Sequence, residues 1–539
     1  MLVSRNVEIM VGKKGCETAR VLGEDGSEYY LHSLYDPVRE AESHVPTNIS
    51  KDTLIFLGTG LGYHVALTLT ANSSVKRVVL VEIYPELATV AAERIRSSGV
   101  QIDVLTGASD KYALWLLPGL DAAHLQIIPH PPSLKINSAW YTKFYACFAT
   151  IGQPKQHEPV KKTNLSILVL FGAYYGQKEC IEGFRELGHH VVIVDYAQSE
   201  AETISALHQV LVTERPDLVF SINMRGLDNR GVIGQILVRL GIPLAIWFVD
   251  SPEFIINEAS TPLREIATMF LWDRSYLPRV TSQGYQAFHL PLAADVALAK
   301  YAVSSDQFSS NISFVGNSLI SDFLSRLSIK FPQTDANRKE MEKAVTAILE
   351  SRGRQLEVLE EVIAAGEVEL PCREAELFFR AYAVHSATAR YRTGLLGELI
   401  PLGLTFFGDP QGWHSLFGDS ITALPYVNYF AETPAVYASS IINFNATSLQ
   451  MPRAVNQRVF DVPLCGGFLL TDRQDELFEW FEKDEIALYN GAEDVAEKAA
   501  YYLKRPSVRE KITRRAQKKV LKRHTYKNRM GELLKLLGM

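Results

Sequence analysis

Short β-rich apolar runs alternate with amphipathic helical stretches through almost all of the 539-residue chain, and that alternation admits few folds. A run such as SILVLFG (166–172) carries apolar residues on both faces and needs cover on both, which intervening helices supply in a parallel sheet. Three blocks are legible. The first, 1–160, holds LIFLG (54–58), VVLVE (78–82) and LQIIP (125–129), and the polar stretch QPKQHEPVKKTN (153–164) ends it. The second, 161–300, holds SILVLFG, VVIVD (191–195), LVFSIN (218–223), LAIWFVD (244–250) and MFLWD (269–273). The third, 301–539, holds ISFVG (312–316), LTFFG (404–408), IINFN (441–445) and GFLLT (467–471). The pattern predicts an α/β protein with two adjacent Rossmann-like lobes and an additional N-terminal Rossmann-like domain. Between Ser318 and Arg392 helical periodicity runs without a strand signal, which predicts a helical insertion. Its mixed charge reads as solvated helix faces, or alternatively as an acceptor-binding or dimerisation surface.

Composition narrows the function classes. A net charge of −6 provides no basic field for a polyphosphate backbone, so nucleic acid is not an expected partner. The five cysteines (Cys16, Cys147, Cys180, Cys372, Cys465) have neither zinc-chelating nor disulfide-dense spacing, which fits a reducing cytoplasm. The N-terminus lacks the apolar segment of a signal peptide and no apolar run has spanning length, so no transmembrane segment is expected.

The segment RAVNQRVFDVPLCGGFLL (453–470) places Asp461 five residues before a Gly-Gly turn that opens an apolar strand. A carboxylate there can accept hydrogen bonds from both hydroxyls of a nucleotide ribose, while arginines and helix N-terminal amides meet a diphosphate. The same string also arises in ordinary helix-to-strand turns. Gly316 and Asn317, after the first strand of block three, could offer backbone amides to that diphosphate, and Asn445, Asn456, Arg458, Asp461 and Gly466 complete the expected donor pocket. Arg458 could stabilise a departing nucleotide or simply pair with Asp461 at i,i+3. In block two, Asp195, Asn223, Asp250 and Asp273 fall at strand ends, where open parallel sheets bind ligands. Asp250 precedes a strand-breaking Ser-Pro and is the expected catalytic base, with a helix cap as the bland alternative. No D-x-D triplet occurs, so no metal site is expected. The stretch 504–529 holds twelve Lys or Arg against one Glu, with Ile512, Ala516 and Val520 on one face, and reads as a packed helix with a basic outer side or as a surface for membranes or acidic acceptors.

Blocks two and three resemble the CgeB-like glycosyltransferases of GT-B architecture. The matching segments are IPLAIWFVDSPEFI (242–255), FHLPLAAD (288–295), ISFVGN (312–317), YVNYFAETPAVYASSIINFNATS (426–448) and RVFDVPLCGGFLLT (458–471), within about 163–530. The resemblance implies a nucleotide sugar on the C-terminal lobe, an acceptor on the N-terminal lobe, chemistry in the cleft between them, and a last helix that crosses back to the first lobe. Many retaining members carry two glutamates eight residues apart where this chain has Arg453 and Asp461, so retention or inversion stays open.

In block one, YYLHSLYDPVREAE (29–42), LIFLGTGLGYHV (54–65) and VVLVEIYPEL (78–87) resemble the N-terminal portions of Maf-like flagellin glycosylation proteins. Gly58, Gly60 and Gly62 form a strand-to-helix turn and Glu82 ends the next strand, the spacing of a nucleoside site that would also suit S-adenosylmethionine. HPPS (130–133) stands roughly where amino-methyltransferases place an Asn/Asp-Pro-Pro-aromatic motif, with His130 and Ser133 at its ends. An accessory domain is the expectation, and a methyltransferase the alternative. The functional expectation is a cytoplasmic transferase using a nucleotide sugar, with a protein of flagellin type or a glycan as acceptor, no required cofactor, and a homo-oligomer left open. An S-adenosylmethionine-dependent enzyme and a non-catalytic scaffold are the alternatives.

Overall fold

The computed structural model describes all residues except 1–6, 24–25, 108–116, 118–119, 121–123, 138–139, 143, 145–163, 197–202, 204–205, 208–209, 212–213, 229–230, 257 and 321. The expected linker at 153–164 lies, but for Asn164, outside the described residues.

The chain begins with a small antiparallel sheet, β1 (Val7–Val11), β2 (Glu17–Leu22) and β3 (Glu28–Tyr30), which the apolar pattern did not signal. A parallel sheet follows, made of β4 (Thr53–Leu57), β5 (Arg77–Glu82), β6 (Gln101–Thr106) and β7 (Leu125–Pro129), in the order β6-β5-β4-β7. The N-terminal lobe contains β8 (Ser166–Phe171), β9 (His190–Asp195), β10 (Leu218–Ile222), β11 (Leu244–Phe248), β12 (Ala267–Leu271) and β13 (Gln286–His289), ordered β13-β12-β11-β10-β8-β9. Every residue of β10, β11 and β12 is buried, as a sheet covered on both faces requires. The C-terminal lobe contains β14 (Ser310–Val315), β15 (Leu404–Phe407), β16 (Thr422–Leu424), β17 (Ser440–Asn445), β18 (Leu469–Asp472) and β19 (Ala487–Tyr489), ordered β16-β15-β14-β17-β18-β19. Both six-stranded sheets are parallel throughout. The expected α/β architecture of two Rossmann-like lobes with a further N-terminal domain is present. In the three parallel sheets the strands missing from the sequence reading, β6, β13, β16 and β19, are all edge strands.

The insertion is helical, with helices at Asp322–Ser328, Asp335–Glu350, Gln355–Ala365 and Arg373–Leu399, so its last helix runs seven residues beyond the expected boundary at Arg392. Its faces are not merely solvated. Phe331, Met341, Val345, Ile348, Leu359 and Phe379 form a separate core, and Arg352 reaches Asp472 at 2.8 Å. The basic C-terminal stretch forms two helices, Pro506–Arg523 and Tyr526–Leu536, with Thr525 as the N-cap of the second. Ala516 and Val520 are buried as expected, and the last helix packs on Gln177–Glu186 of the N-terminal lobe. A Cβ at Gly183 would come within 3.0 Å of Met530, so the small residue allows that close approach.

Buried polar bonds lock the two lobes together. Asp273, just past β12, accepts from the amides of Ser275 (2.8 Å), Arg453 (3.0 Å) and Ala454 (2.9 Å). Glu476 of the C-terminal lobe accepts from the Arg274 amide at 3.2 Å and faces His289 Nε2 at 3.0 Å. Arg529 Nε donates to the carbonyls of Pro291 (2.9 Å) and Leu292 (3.1 Å). Removing an acceptor from buried amides costs about 1–3 kcal/mol per unsatisfied group. Asp273→Ala should therefore lower the urea midpoint clearly, and Asp273→Asn, which keeps one acceptor oxygen, should lower it less. Equal midpoints for Asp273→Ala and the unaltered protein would refute the clamp.

Candidate functional site

In each lobe the strand order reverses between two neighbouring strands, β8/β10 and β14/β17, and such switch points open a crevice at the carboxyl ends. The two crevices contribute to one cleft of about 430 Å³, lined by Tyr174, Tyr175 and Asp250 from one side and by Val315, Tyr429, Tyr437, Asn456, Gln457, Arg458 and Asp461 from the other. That volume is in the range of small-molecule sites, about 300–1,000 Å³.

The short helix Arg458–Leu464 presents the C-terminal wall. Its angle is set by the preceding loop, held by Asp273 and by Gln457 Nε2, which donates to the Ala293 carbonyl. Gly466 (φ +75°) makes the turn after the helix, and a Cβ at Gly467 would meet the Tyr437 carbonyl at 2.6 Å. The Gly-Gly pair thus serves chain reversal and close packing, and Gly466 does not line the cleft. Asp461 is fully buried, accepting from Tyr429 Oη at 2.7 Å and Gln457 Nε2 at 3.0 Å. Burial pushes its carboxyl up to about 7, against the pull of those two donors. Arg458 does not pair with Asp461. It donates to the carbonyl of Val315 at the end of β14. Asn456 lines the cleft and donates to Asn445 Oδ1 at 2.7 Å, and its own Oδ1 has no partner among the described residues. Asn445 is itself enclosed, donating to Thr471 Oγ1 at 2.9 Å, so it orients Asn456 instead of lining the pocket.

On the opposite wall Asp250 Oδ2 accepts from Tyr174 Oη at 2.6 Å and Asn223 Nδ2 at 2.7 Å. The cap alternative is not realised: Ser251 is the N-cap of the following turn, which has no side-chain cap bond. Asn223 adopts φ +52°, a left-handed conformation Asn tolerates better than most, and its Oδ1 also accepts the Val249 amide at 2.9 Å. The Arg225 guanidinium stacks 3.8 Å over the Tyr174 ring. A second cavity of about 200 Å³ adjoins Asn223 and is lined by Arg225, Asp228 and Ser260 among others.

Several expected site residues sit elsewhere. The amide of Gly316 donates to Phe407 O at 3.0 Å in the sheet, which removes it as a phosphate donor, while Asn317 is exposed and does not line the cleft. Asp273 is enclosed as the interlobe clamp and Asp195 lies at the exposed end of the edge strand β9, so neither shares the cleft with Asp250. In the first domain the spacing does bring Glu82 to the glycine turn, where Gly58, Gly60 and Gly62 all have positive φ. Its carboxylate, however, accepts from the loop amides of Thr59 (2.7 Å) and Gly60 (3.1 Å) and from Tyr141 Oη (2.8 Å). The crevice above is occupied by side chains: a Cβ at Gly60 would meet His32 Nε2 at 2.4 Å, one at Gly58 would meet Ser133 at 2.3 Å, and His64 stacks on His130 at 4.4 Å.

The sequence reading missed Tyr174, Tyr429 and Gln457, which hold the two carboxylates, and, outside the cleft lining, did not single out His385 and Arg392 on the insertion. Burial, with the Arg392 charge behind it, lowers His385 to about 4, while Asp250 acts in the opposite sense. A signal was present: His385, Thr388 and Arg392 recur at helical spacing among small alanines. Among the described residues, no group of three or more His, Cys, Asp or Glu is arranged to hold a metal ion, and no helix is long and apolar enough to cross a membrane.

A chain of two Rossmann-like lobes facing a shared cleft has the GT-B arrangement. Residues 380–535, within the C-terminal lobe, match the family described as glycosyl transferase-like. No curated protein matches the chain. Solved structures similar to it include Anabaena HepE in complex with UDP and glucose (11% identity, TM-score 0.40, 69% of this chain and 99% of that one). Sucrose-phosphate synthase from Thermosynechococcus elongatus is another (13%, TM-score 0.37, 69% and 99%).

The raised carboxyl of Asp461 makes stability depend on pH with a defined sign. Between its ordinary value of 3.8 and about 7 the unfolded chain ionises Asp461 and the folded chain does not, so the native state loses stability as pH rises through that window and levels off above it. Asp461→Asn lacks this loss. The melting temperature of Asp461→Asn minus that of the unaltered protein should grow from pH 4 to about 7 and then flatten; a difference independent of pH would contradict the assignment.

Proposed function

We propose that this protein is a glycosyltransferase that takes a sugar from a nucleotide-sugar donor in the interlobe cleft and transfers it to an acceptor hydroxyl. The observation that carries the reading is the pairing, across one cleft, of a C-terminal wall bearing Asp461 and Arg458 with an N-terminal wall bearing Asp250. The match of residues 380–535 to a glycosyl transferase-like family supports it independently. Asp461 accepts from the donor ribose, Asn456 offers its unpartnered oxygen, and Arg458 meets the negative charge that grows on the departing nucleoside diphosphate. Asp250 takes the acceptor proton, its orientation fixed by Tyr174 and Asn223. In this reading the CgeB-like glycosyltransferases are the relatives of blocks two and three. The acceptor is a protein hydroxyl of flagellin type, a reading that rests on the Maf-like resemblance of the first domain. The first domain acts as an accessory module, supported by the engagement of Glu82 with its own glycine loop.

A thermal-shift panel of nucleotide sugars and S-adenosylmethionine tests this reading, with stabilisation expected from at least one nucleotide sugar. Stabilisation by S-adenosylmethionine alone would transfer the activity to the first domain. Asp461→Ala should weaken donor binding by roughly ten- to a hundredfold in calorimetry, the worth of a hydrogen bond to a charged group. Asp250→Asn should keep donor affinity and fold while losing most transfer, because the amide retains the shape but cannot take the proton. A transfer rate near that of the unaltered protein at saturating donor would eliminate Asp250 as the base.

A further inference from the structure

The end of the chain gathers positive charge in a protein whose net charge is −6: residues 504–529 hold twelve Lys or Arg against one Glu. Folding sorts those charges by face. On the helix Pro506–Arg523, Ala516 and Val520 are buried and Gln517 Nε2 donates to the Leu464 carbonyl at 2.9 Å, so this side packs on the helix that bears Arg458 and Asp461. Lys511, Arg514, Arg515, Lys518 and Lys522 recur at three- and four-residue spacing on the opposite side, and all five are exposed. They form a stripe about 16 Å long. Leu521, 51% exposed, flanks it.

Acidic residues reach only the edges of this stripe. Arg514 pairs with Glu510 and Arg515 with Asp484, while Lys519, toward the packed side, pairs with Glu485 at 3.1 Å. Lys511, Lys518 and Lys522 have no ion pair among the described residues. The planar fork of arginine suits a carboxylate in a fixed place, and both arginines of the stripe are already engaged in that way. The charges left over are compact ammonium groups on flexible stems, which meet anions without demanding one geometry. They project from a convex helix surface with an exposed leucine beside them. Mobile phosphates spread over an apolar layer match both features, since they satisfy the ammonium groups and admit the leucine.

We propose that the outer face of the helix Pro506–Arg523 docks the protein reversibly on an anionic lipid surface. Lys511, Lys518 and Lys522 meet the lipid phosphates, and Leu521 enters among the head groups. In that arrangement the lipid lies behind the helix Arg458–Leu464. Arg458 and Asp461 of that helix line the cleft, whereas its Phe460 packs against His524 at the end of the basic helix, with ring centroids 5.3 Å apart. The stripe faces away from this packing, so the cleft is not part of the contact.

Co-sedimentation of the full chain with vesicles tests the docking at about 0.15 M salt, where exposed charges more than about 8 Å apart are screened. Vesicles of roughly 30% phosphatidylglycerol in phosphatidylcholine should bind the protein, and vesicles of phosphatidylcholine alone should not. Changing Lys511, Lys518 and Lys522 together to Gln should lower the partition coefficient by roughly ten- to a hundredfold, since each surface cation contributes about fivefold. Changing the same three to Arg should keep it, which separates loss of charge from loss of shape, and the melting temperature of each variant is read alongside. No sedimentation with the anionic vesicles, or equal partition of the Gln variant and the unaltered protein, would overturn the docking. So would an Arg variant that binds as weakly as the Gln variant while melting normally. Poly-glutamate or a DNA duplex that releases the protein from the vesicles at a lower charge concentration than the lipid would assign the stripe to an acidic protein or a nucleic acid instead.

Discussion

The site depends on the carboxylate of Asp273, which stands in one lobe and binds two backbone amides of the other. Those amides belong to Arg453 and Ala454, a few residues before the helix that bears Arg458 and Asp461. Fixing the loop there fixes the position of the C-terminal wall relative to Asp250, which is held on the N-terminal lobe by Tyr174 and Asn223. Burial and the nearby charge of Glu476 both act against ionised Asp273, and its three amide donors act in its favour. A carboxylate is retained in such a place because an acceptor with two oxygens can satisfy several amides at once, which no apolar side chain can do.

Charge in the cleft is arranged by the same logic of compensation. Asp461 is enclosed with only two donors and is held near the middle of the physiological pH range, ready to ionise when further donors arrive.

The first domain shows how a Rossmann-like switch point can be closed by its own side chains. Glu82 has the position that a ribose-binding acid would have, yet both its oxygens serve the local turn and Tyr141. Four histidines pack around the glycine loop, and burial holds His32 and His64 down to about 3, so they are neutral there and pack as aromatic rings. The same glycines that would admit a nucleoside admit His32 and Ser133.

The order of strands and helices was legible from the chain because an apolar run buried on both faces has a composition unlike anything else, as in β10, β11 and β12. Edge strands such as β13 and β16 escaped because one flank lacks a neighbouring strand and their apolar signal is short. Within the site, the sequence pointed to Asp250, Asn456, Arg458 and Asp461, each marked by a local break: a Ser-Pro, or a helix before a Gly-Gly turn. It preferred Asp250 to Asp273, two acids at the ends of adjacent strands, on the Ser-Pro alone, and could not read that Asp273 binds amides of the other lobe while Asp250 lines the cleft. Strand and turn identity follow from the free energy of burying a few neighbouring residues, which the sequence records locally. The partners of a charged side chain follow from distances that exist only once the sheets are stacked.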